Sequence, residues 1–218
     1  MSIDPARLGT MLQVAQALRT APGGRFAALV GAGVSDSAGV TTGEDLLRMV
    51  AARHGAPDPG SQAVDWYRRS VGGRPDYFGL AGAGMALGTD SLPRQRYAPN
   101  THRRPTPAHR ALATLTASGH LRTILTTNVD TLLEQAIAEA GIECRVAADL
   151  DAMAGLDHGP GVACVVVKLH GDYRDIGIRH TAPGPDQYHP VIDCLLESVL
   201  SRHDLLVAGW SGVWDVAL

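Results

Sequence analysis

A glycine-rich turn follows the first apolar run of the chain and has the composition of an anion-binding loop. The run Phe26–Val30 predicts a buried strand, and it ends in Gly31, Ala32 and Gly33 before a small, polar segment that reaches Gly39. A strand, a glycine turn and a helix start are the order in which a Rossmann-type sheet builds a phosphate site. Glycine lets the backbone approach an anion, and free N–H groups bind it. The turn therefore favours nucleotide binding.

The same turn departs from the dinucleotide fingerprint of dehydrogenases. That fingerprint has a third glycine three residues after the second, where this chain has Asp36. The departure weakens an interpretation as a hydride-transfer enzyme. For a G-x-G considered alone, a tight turn without a ligand is the alternative.

Polar or small residues also follow three later apolar runs, each of which predicts a strand. These are Leu121–Thr126 with Thr127 and Asn128, Ala163–Leu169 with His170 and Gly171, and Asp204–Ala208 with Gly209, Trp210 and Ser211. Because parallel strands end at one edge of an open sheet and ligands lie in the crevice there, these residues together indicate one site. Taken singly, His170 could be a core histidine, and Asn128 or Asp130 could be a helix cap.

The elements around these residues predict an α/β protein with a Rossmann-like open parallel sheet, helices on both faces and a small helical insertion. A single domain is expected over residues 1–218, and a further short strand is predicted at Ile142–Ala147. The predicted helices are Pro5–Arg19 with an apolar face that covers the sheet, Glu44–His54, a helix capped by Thr106 and ended by Gly119, Thr131–Ala140 with a Thr131/Glu134 capping box, and Pro185–His203.

Two stretches are less regular than the rest. Residues 56–105 contain several Gly-rich breaks and short helix-like pieces, which predict a small helical lobe or lid inserted into the main domain. A flexible loop is the alternative. The sequence stops at Leu218 inside what predicts a new helix from Val213, so we expect the natural protein to be longer.

Composition limits the class of protein. A hydrophobic content of 45% supports a core, and a net charge of −3 argues against a nucleic-acid surface. Three scattered cysteines do not form a metal knuckle, and reduced thiols in a cytoplasmic protein explain them most simply. The sequence shows neither a signal peptide nor an apolar run of membrane-spanning length. We therefore expect a cytoplasmic protein with no bound metal and no membrane partner.

Five segments resemble, in order, the motifs of the sirtuin family. GAGVSDSAGV resembles the G-A-G-x-S-x-x-x-G-I opening, PTPAHRALATL the P-x-x-x-H-x-x-L helix, and TTNVDTLLEQA the T-Q-N-I-D-x-L segment. VVKLHGD resembles the strand end that carries the catalytic histidine, and AGWSGVWD resembles the later G-x-S strand end. The segments span Gly31 to Asp215, which is nearly the whole chain.

Departures from these motifs point to one branch of the family. Sirtuin deacylases have a zinc ribbon of two C-x-x-C pairs, whereas residues 172–190 contain no cysteine. The opening lacks Pro-x-Phe-Arg and has Thr41–Glu44 instead, and Thr127 replaces the usual glutamine. These losses weaken an acyl-peptide site and leave the NAD+ site. The chain resembles most the zinc-free sirtuin-like domains of bacterial proteins, several of which are NAD+-consuming effectors in phage defence.

The resemblance implies an NAD+ glycohydrolase that gives nicotinamide and ADP-ribose. It implies that the backbone of Ala32 and Gly33 binds the pyrophosphate and that Asn128 orients water or ribose. It also implies that Asp130 contacts the nicotinamide carboxamide and that His170 is a base, a role that imidazole side chains commonly have in enzymes. The remaining NAD+ contacts are implied for Gly31, Ser35, Thr127, Gly209 and Ser211.

The expected partners are NAD+ and ADP-ribose, together with a second copy of the chain or a C-terminal domain. Three other functions stay open. They are a zinc-free deacylase or ADP-ribosyltransferase, a non-catalytic NAD+ or ADP-ribose sensor, and a degenerate Rossmann domain that serves assembly.

Overall fold

The computed structural model describes residues 5–56, 58, 60, 62–73, 75, 103–156, 161–172, 187–212, 215, 217 and 218, without the side chains of residues 5–8. The strands are β1 (Phe26–Val30), β2 (Leu121–Thr126), β3 (Cys144–Ala147), β4 (Cys164–Lys168) and β5 (Asp204–Ala208). The helices are α1 (Pro5–Thr20), α2 (Gly43–Arg53), α3 (Ala63–Ser70), α4 (Pro107–Ala117), α5 (Leu132–Glu139), α6 (Leu150–Ala154) and α7 (Pro190–Leu200).

The five strands form one parallel sheet in the order β3-β4-β2-β1-β5. Val30 pairs with Thr126 on one side and with Ala208 on the other, and Thr126 pairs with Lys168. These residues are the last ones of β1, β2, β5 and β4, so the four strands end at the same level. The predicted Rossmann-like sheet is confirmed.

Helices pack on both faces of the sheet because successive strand residues point to opposite sides. On one face, Ala28 and Ile124 lie in a core with residues of α4 and α5 such as Leu112 and Ile137. On the other face, a second core combines strand residues with α6 and α7: Ala27, Leu29, Leu125, Val165, Val167, Met153, Ile192, Leu195, Leu196 and Val199. The sheet is therefore held between two apolar layers.

Part of the predicted insertion is visible as α3. It packs on α2 through a small core that includes Leu47 and Tyr67. The rest of the predicted lobe, residues 173–186 and the predicted helix start at Val213 fall outside the described residues, so those expectations stay predictions. Within the described part of the chain, no helix is long and apolar enough to cross a membrane, and no group of three or more metal-ligating side chains is found.

Helix α1 differs from the prediction that its apolar face covers the sheet. Its side chains border a groove beside β5, yet Met11 and Leu12 are 59% and 62% exposed. Strand β5 is the outermost strand of the sheet, and its Val207 is 48% exposed. The helix therefore forms where predicted but leaves most of its apolar face uncovered by the described residues.

Helix α5 is not capped by the predicted Thr131/Glu134 box. The Thr131 side chain makes no capping hydrogen bond, and the Leu132 amide donates instead to Asp130 Oδ1 at 3.0 Å. Glu134 lies 2.9 Å from the Lys168 ammonium. A buried cation competes for the glutamate, and the carboxylate of Asp130 takes over the cap.

Helix α7 begins at Pro190 and not at the predicted Pro185. His189 is its N-cap in an extended conformation, and the His189 imidazole accepts a hydrogen bond from the Val191 amide. A residue before proline is disfavoured in the helical conformation, and proline suits the first helical position. The prediction began the helix too early, at Pro185. An amphipathic pattern reports only the spacing of apolar residues and does not include the steric effect of Pro190 on the residue before it.

Glycines bring the loops after β1 and β5 into direct backbone contact. A Cβ atom on Gly33 would lie 2.9 Å from the Gly209 carbonyl oxygen, and one on Gly209 would lie 2.5 Å from the Val34 nitrogen. The atoms that would be met are backbone atoms and cannot rotate away. Gly209 also has a φ of 64°, in the left-handed region that disfavours L-residues. These two glycines therefore set how closely the loops approach.

We expect Gly209→Ala to destabilise the protein far more than Gly141→Ala. Both glycines have left-handed φ values, 64° and 70°, but a Cβ on Gly141 meets no atom within 4 Å. Gly141→Ala should lower the free energy of unfolding by about 1–2 kcal/mol, and Gly209→Ala by roughly 1–3 kcal/mol more, through overlap with backbone. Urea denaturation measures both variants. Equal losses would show that the loops are not tightly packed.

Candidate functional site

A cavity of about 220 Å³ lies where β1, β2, β4 and β5 end. Eight of the ten predicted site residues line it: Ala32, Gly33, Thr127, Asn128, Asp130, His170, Gly209 and Ser211. The two others, Gly31 and Ser35, are not part of its lining. The predicted residues therefore meet at one edge of the sheet, as the parallel strand order requires.

The glycine turn after β1 is built differently from the predicted helix start. It forms two short 3-10 turns, Ala32–Val34 and Asp36–Ala38. The Gly33 amide donates to the Gly209 carbonyl at 2.9 Å, and the Ser35 amide donates to Ala32. The Gly33 N–H thus holds the β1 and β5 loops together, and close loop packing explains this glycine without an anion.

Ser35 is fully buried and connects three side chains at the cavity. Its hydroxyl donates to Asp130 Oδ2 at 3.0 Å and accepts from Asn128 Nδ2 at 3.2 Å. The third partner is His109 Nε2, at 3.2 Å. Ser35 thus holds Asn128 and Asp130 by hydrogen bonds from outside the cavity lining, and its predicted contact with a ligand stays a prediction.

His109 was not among the predicted site residues. The Thr106 amide donates to His109 Nδ1 at 3.0 Å, so in the neutral ring Nε2 carries the proton that is directed at Ser35. Burial lowers the pKa of His109, with Arg110 acting in the same direction and Asp130 opposing. A neutral imidazole fits these contacts. Two local signals pointed to this residue: the predicted Thr106 cap three residues earlier, and the place of His109 as the histidine of the segment that resembles P-x-x-x-H-x-x-L.

Asn128 presents an acceptor that no donor reaches among the described residues. Its side chain is 9% exposed, and Oδ1 is buried without a hydrogen bond. Because the Ser35 hydroxyl hydrogen is directed at Asp130, the atom of Asn128 that faces Ser35 must be the amide nitrogen. The carbonyl oxygen is therefore left for another partner. A buried acceptor is costly when unpaired, which indicates a ligand or water donor in the cavity.

His170 lies in a second cluster of polar side chains and is 3% exposed. Its Nε2 is 2.9 Å from Asp215 Oδ1 and 3.3 Å from the Tyr188 hydroxyl. Asp215 also accepts a hydrogen bond from Trp210 Nε1 at 2.8 Å. These contacts orient the imidazole at the cavity. Tyr188, Trp210 and Asp215 had no assigned role from sequence, because no short spacing links them to His170.

These features define the class: a Rossmann-like α/β domain with a cavity at the carboxyl edge of its sheet, whose lining includes the polar side chains of Asn128, Asp130 and His170. Residues 122–213 match the family model of the SIR2-like domain. The part of the chain from β2 to the loop after β5 is thus similar to that family.

A curated relative extends the similarity. The chain is 36% identical over 143 residues to an NAD-dependent protein deacetylase of Haloarcula marismortui. The matched region covers 65% of this chain and 47% of that protein. The chain therefore spans about half the length of the curated relative that it matches.

Two solved structures are also similar to the chain. A crystal structure of Sir2 with an inhibitor, 2′-O-acetyl-ADP-ribose and a deacetylated peptide has 17% identity and a TM-score of 0.39, with 74% of this chain and 46% of that chain covered. A structure of Sir2 bound to an acetylated peptide has 16% identity and a TM-score of 0.38, with 75% and 46% covered.

The buried His109 should make stability depend on pH. Below the ordinary histidine pKa of ~6.5 the unfolded chain binds a proton that the folded chain excludes, so the free energy of unfolding falls as pH decreases toward the lowered folded pKa. His109→Gln replaces the imidazole with a neutral amide, which can still donate and accept hydrogen bonds but cannot titrate. Urea denaturation at pH 7.5 and 5.5 should show a smaller fall for the variant than for the parent.

The same variant should be less stable than the parent at pH 7.5, by about 1 kcal/mol for an imperfectly replaced buried hydrogen bond. Identical pH dependence in both proteins would contradict a neutral, buried His109.

Proposed function

We propose that this chain binds NAD+ and cleaves the bond between nicotinamide and ribose, with water as the acceptor. The observation that supports this proposal most directly is the buried Asn128 Oδ1, which has no hydrogen bond among the described residues, in a cavity that His170 also lines. The similarity to an NAD-dependent protein deacetylase and to the SIR2-like domain supports NAD+ as the ligand.

The chemistry of the cavity suits this cleavage. The bond from ribose C1′ to the pyridinium nitrogen breaks, and its electron pair neutralises that nitrogen. A water oxygen forms the new bond to C1′ and loses a proton to His170, which gives nicotinamide and ADP-ribose. Asn128 Oδ1 would accept a hydrogen bond from the water or from a ribose hydroxyl and so hold the reacting groups together.

The other cavity residues would bind the rest of NAD+. We assign the pyrophosphate to the backbone around Ala32, the carboxamide to Asp130 and the adenosine half to Ser211, with Thr127 and Gly209 completing the wall. Both Asp130 oxygens already accept one protein hydrogen bond each, so a ligand would use their second lone pairs. Asp215 holds the His170 ring from the protein side.

A zinc-free protein deacylase or ADP-ribosyltransferase is the second candidate. The name of the curated relative favours deacylation. Each of these reactions cleaves the same nicotinamide–ribose bond and differs from hydrolysis in the acceptor. Incubation of the protein with NAD+, with and without an acetylated peptide, separates them: free ADP-ribose without peptide supports hydrolysis, and peptide-dependent nicotinamide release supports transfer.

We expect Asn128→Ala and His170→Ala to abolish most NAD+ cleavage while most of the ADP-ribose affinity is kept. Both side chains act where charge develops, so their loss falls on turnover more than on ground-state binding. A lost general base lowers kcat by about 10²–10⁴-fold. Nicotinamide release and ADP-ribose calorimetry measure the two effects.

His203→Ala is a matched control, because His203 lies just before β5 at the opposite end of the sheet. It should cleave NAD+ like the parent. Melting temperatures establish that the Asn128 and His170 variants are folded. Folded variants with parental turnover would remove these residues from the mechanism, and a parent that binds NAD+ tightly without cleaving it would favour a sensor.

We extend the proposal to a role as an NAD+-consuming effector in bacterial phage defence, on the resemblance of the motif set. Cells that express the protein should lose NAD+ after infection and yield fewer plaques than cells with Asn128→Ala. Equal plaque counts and stable NAD+ would argue against this role and leave the enzymatic proposal intact.

A further inference from the structure

A buried ammonium lies beneath the loops that carry Asn128 and His170. Lys168 is the last residue of β4, and its side chain is 0% exposed. A buried charge is costly unless it is paired and hydrogen-bonded. The four preceding residues of β4 are a cysteine and three valines, all buried. An apolar residue would therefore suit the last position of this strand as well as a lysine does.

Three partners of Lys168 lie in the segment that follows Asn128. The ammonium donates to the Asp130 carbonyl at 2.7 Å and to the Val129 carbonyl at 3.3 Å. Glu134 Oε1, in the first turn of α5, lies 2.9 Å away. The cation therefore holds the turn between Asn128 and α5 through two backbone oxygens and one carboxylate.

A further partner of Lys168 belongs to the loop of His170. Asp172 Oδ2 lies 3.2 Å from the Lys168 Nζ atom. One ammonium thus contacts both the residues just after Asn128 and the residue two positions after His170. It is a direct protein link between the two loops at the cavity.

The groups around Lys168 carry more negative charge than the single cation neutralises. Burial raises the pKa of Glu134, and the ammonium of Lys168 opposes that shift. Two carboxylates and two carbonyls face one cation that has three hydrogens. Removal of the cation leaves both carboxylates without it, so the loops should separate or take up water.

We propose that Lys168 is a positioning residue that sets the placement of Asn128 relative to His170, an inference that rests on the proposed NAD+ cleavage. We call Lys168 and its contacts with the two loops the tether. The tether acts on the geometry of the reacting groups, and a displacement of about 1 Å can lower turnover by about 10²-fold. Ligand affinity, which comes from the wider cavity, should change little.

The test compares Lys168→Met with a variant that also carries Glu134→Gln and Asp172→Asn. Methionine keeps most of the length of the lysine side chain and removes its charge, and the triple variant removes the opposing charges as well. We expect the triple variant to recover much of any loss in melting temperature while kcat for NAD+ cleavage stays at least ~10-fold below the parent and KM stays within a few-fold. Parental kcat in the stable triple variant would overturn the proposal.

Lys168→Arg provides a second arm. It keeps the charge but not the compact geometry of an ammonium. A folded arginine variant should have lower kcat with an unchanged Kd for ADP-ribose, and parental kcat would count against a geometric role. This arm decides the question if neither methionine variant folds.

Hydrogen exchange separates failure of this proposal from failure of the proposed function. If the parent does not cleave NAD+, the proposed function fails, yet the tether can still be measured. Amides of residues 127–134 and 168–172 should exchange at least ~10-fold faster in the triple variant, while those of β1 keep the parental rate. Unchanged exchange in both segments would overturn the tether itself.

Discussion

The common register of four parallel strands is the constraint on which the site depends. The last residues of these strands are neighbours across the sheet: Ala208 pairs with Val30, Val30 with Thr126, and Thr126 with Lys168. Every loop that follows must therefore begin at the same level and on the same edge. Residues that are far apart in the chain, such as Gly33 and His170, become walls of one cavity for this reason.

Below that edge, the loops are held by buried polar contacts and close backbone packing, and not by apolar packing alone. Ser35 joins Asn128, Asp130 and His109, while Lys168 joins the residues after Asn128 to Asp172. On the other side, Gly33 and Gly209 allow direct backbone contact. Such networks specify a single arrangement because each buried polar group is costly when it is left unpaired.

The similarity to the SIR2-like domain and to an NAD-dependent protein deacetylase supports both of the proposed reactions. Hydrolysis and acyl or ADP-ribosyl transfer share the same first bond cleavage, and the roles proposed for Asn128 and His170 apply to either reaction. What differs is the acceptor. Of the segments that the resemblance connects with peptide binding, Thr41–Glu44 and Thr127 line the cavity, while residues 173–186 fall outside the described residues. The fold and the supporting network are therefore common ground for both proposals.

The sequence by itself determined where the strands lie in the chain and which residues after them line the cavity. Apolar runs ending in Gly31, Thr127, His170 and Gly209 sufficed, because a strand and the polar turn after it are local patterns. The start of α7, the exposed face of α1 and the cap of α5 were decided by tertiary contacts. So were the contacts of His109, Lys168 and Asp215 with Ser35, Glu134 and His170, which lie in other segments of the chain. Side-chain contacts between distant segments are set only when the fold brings them together, and no local spacing encodes them.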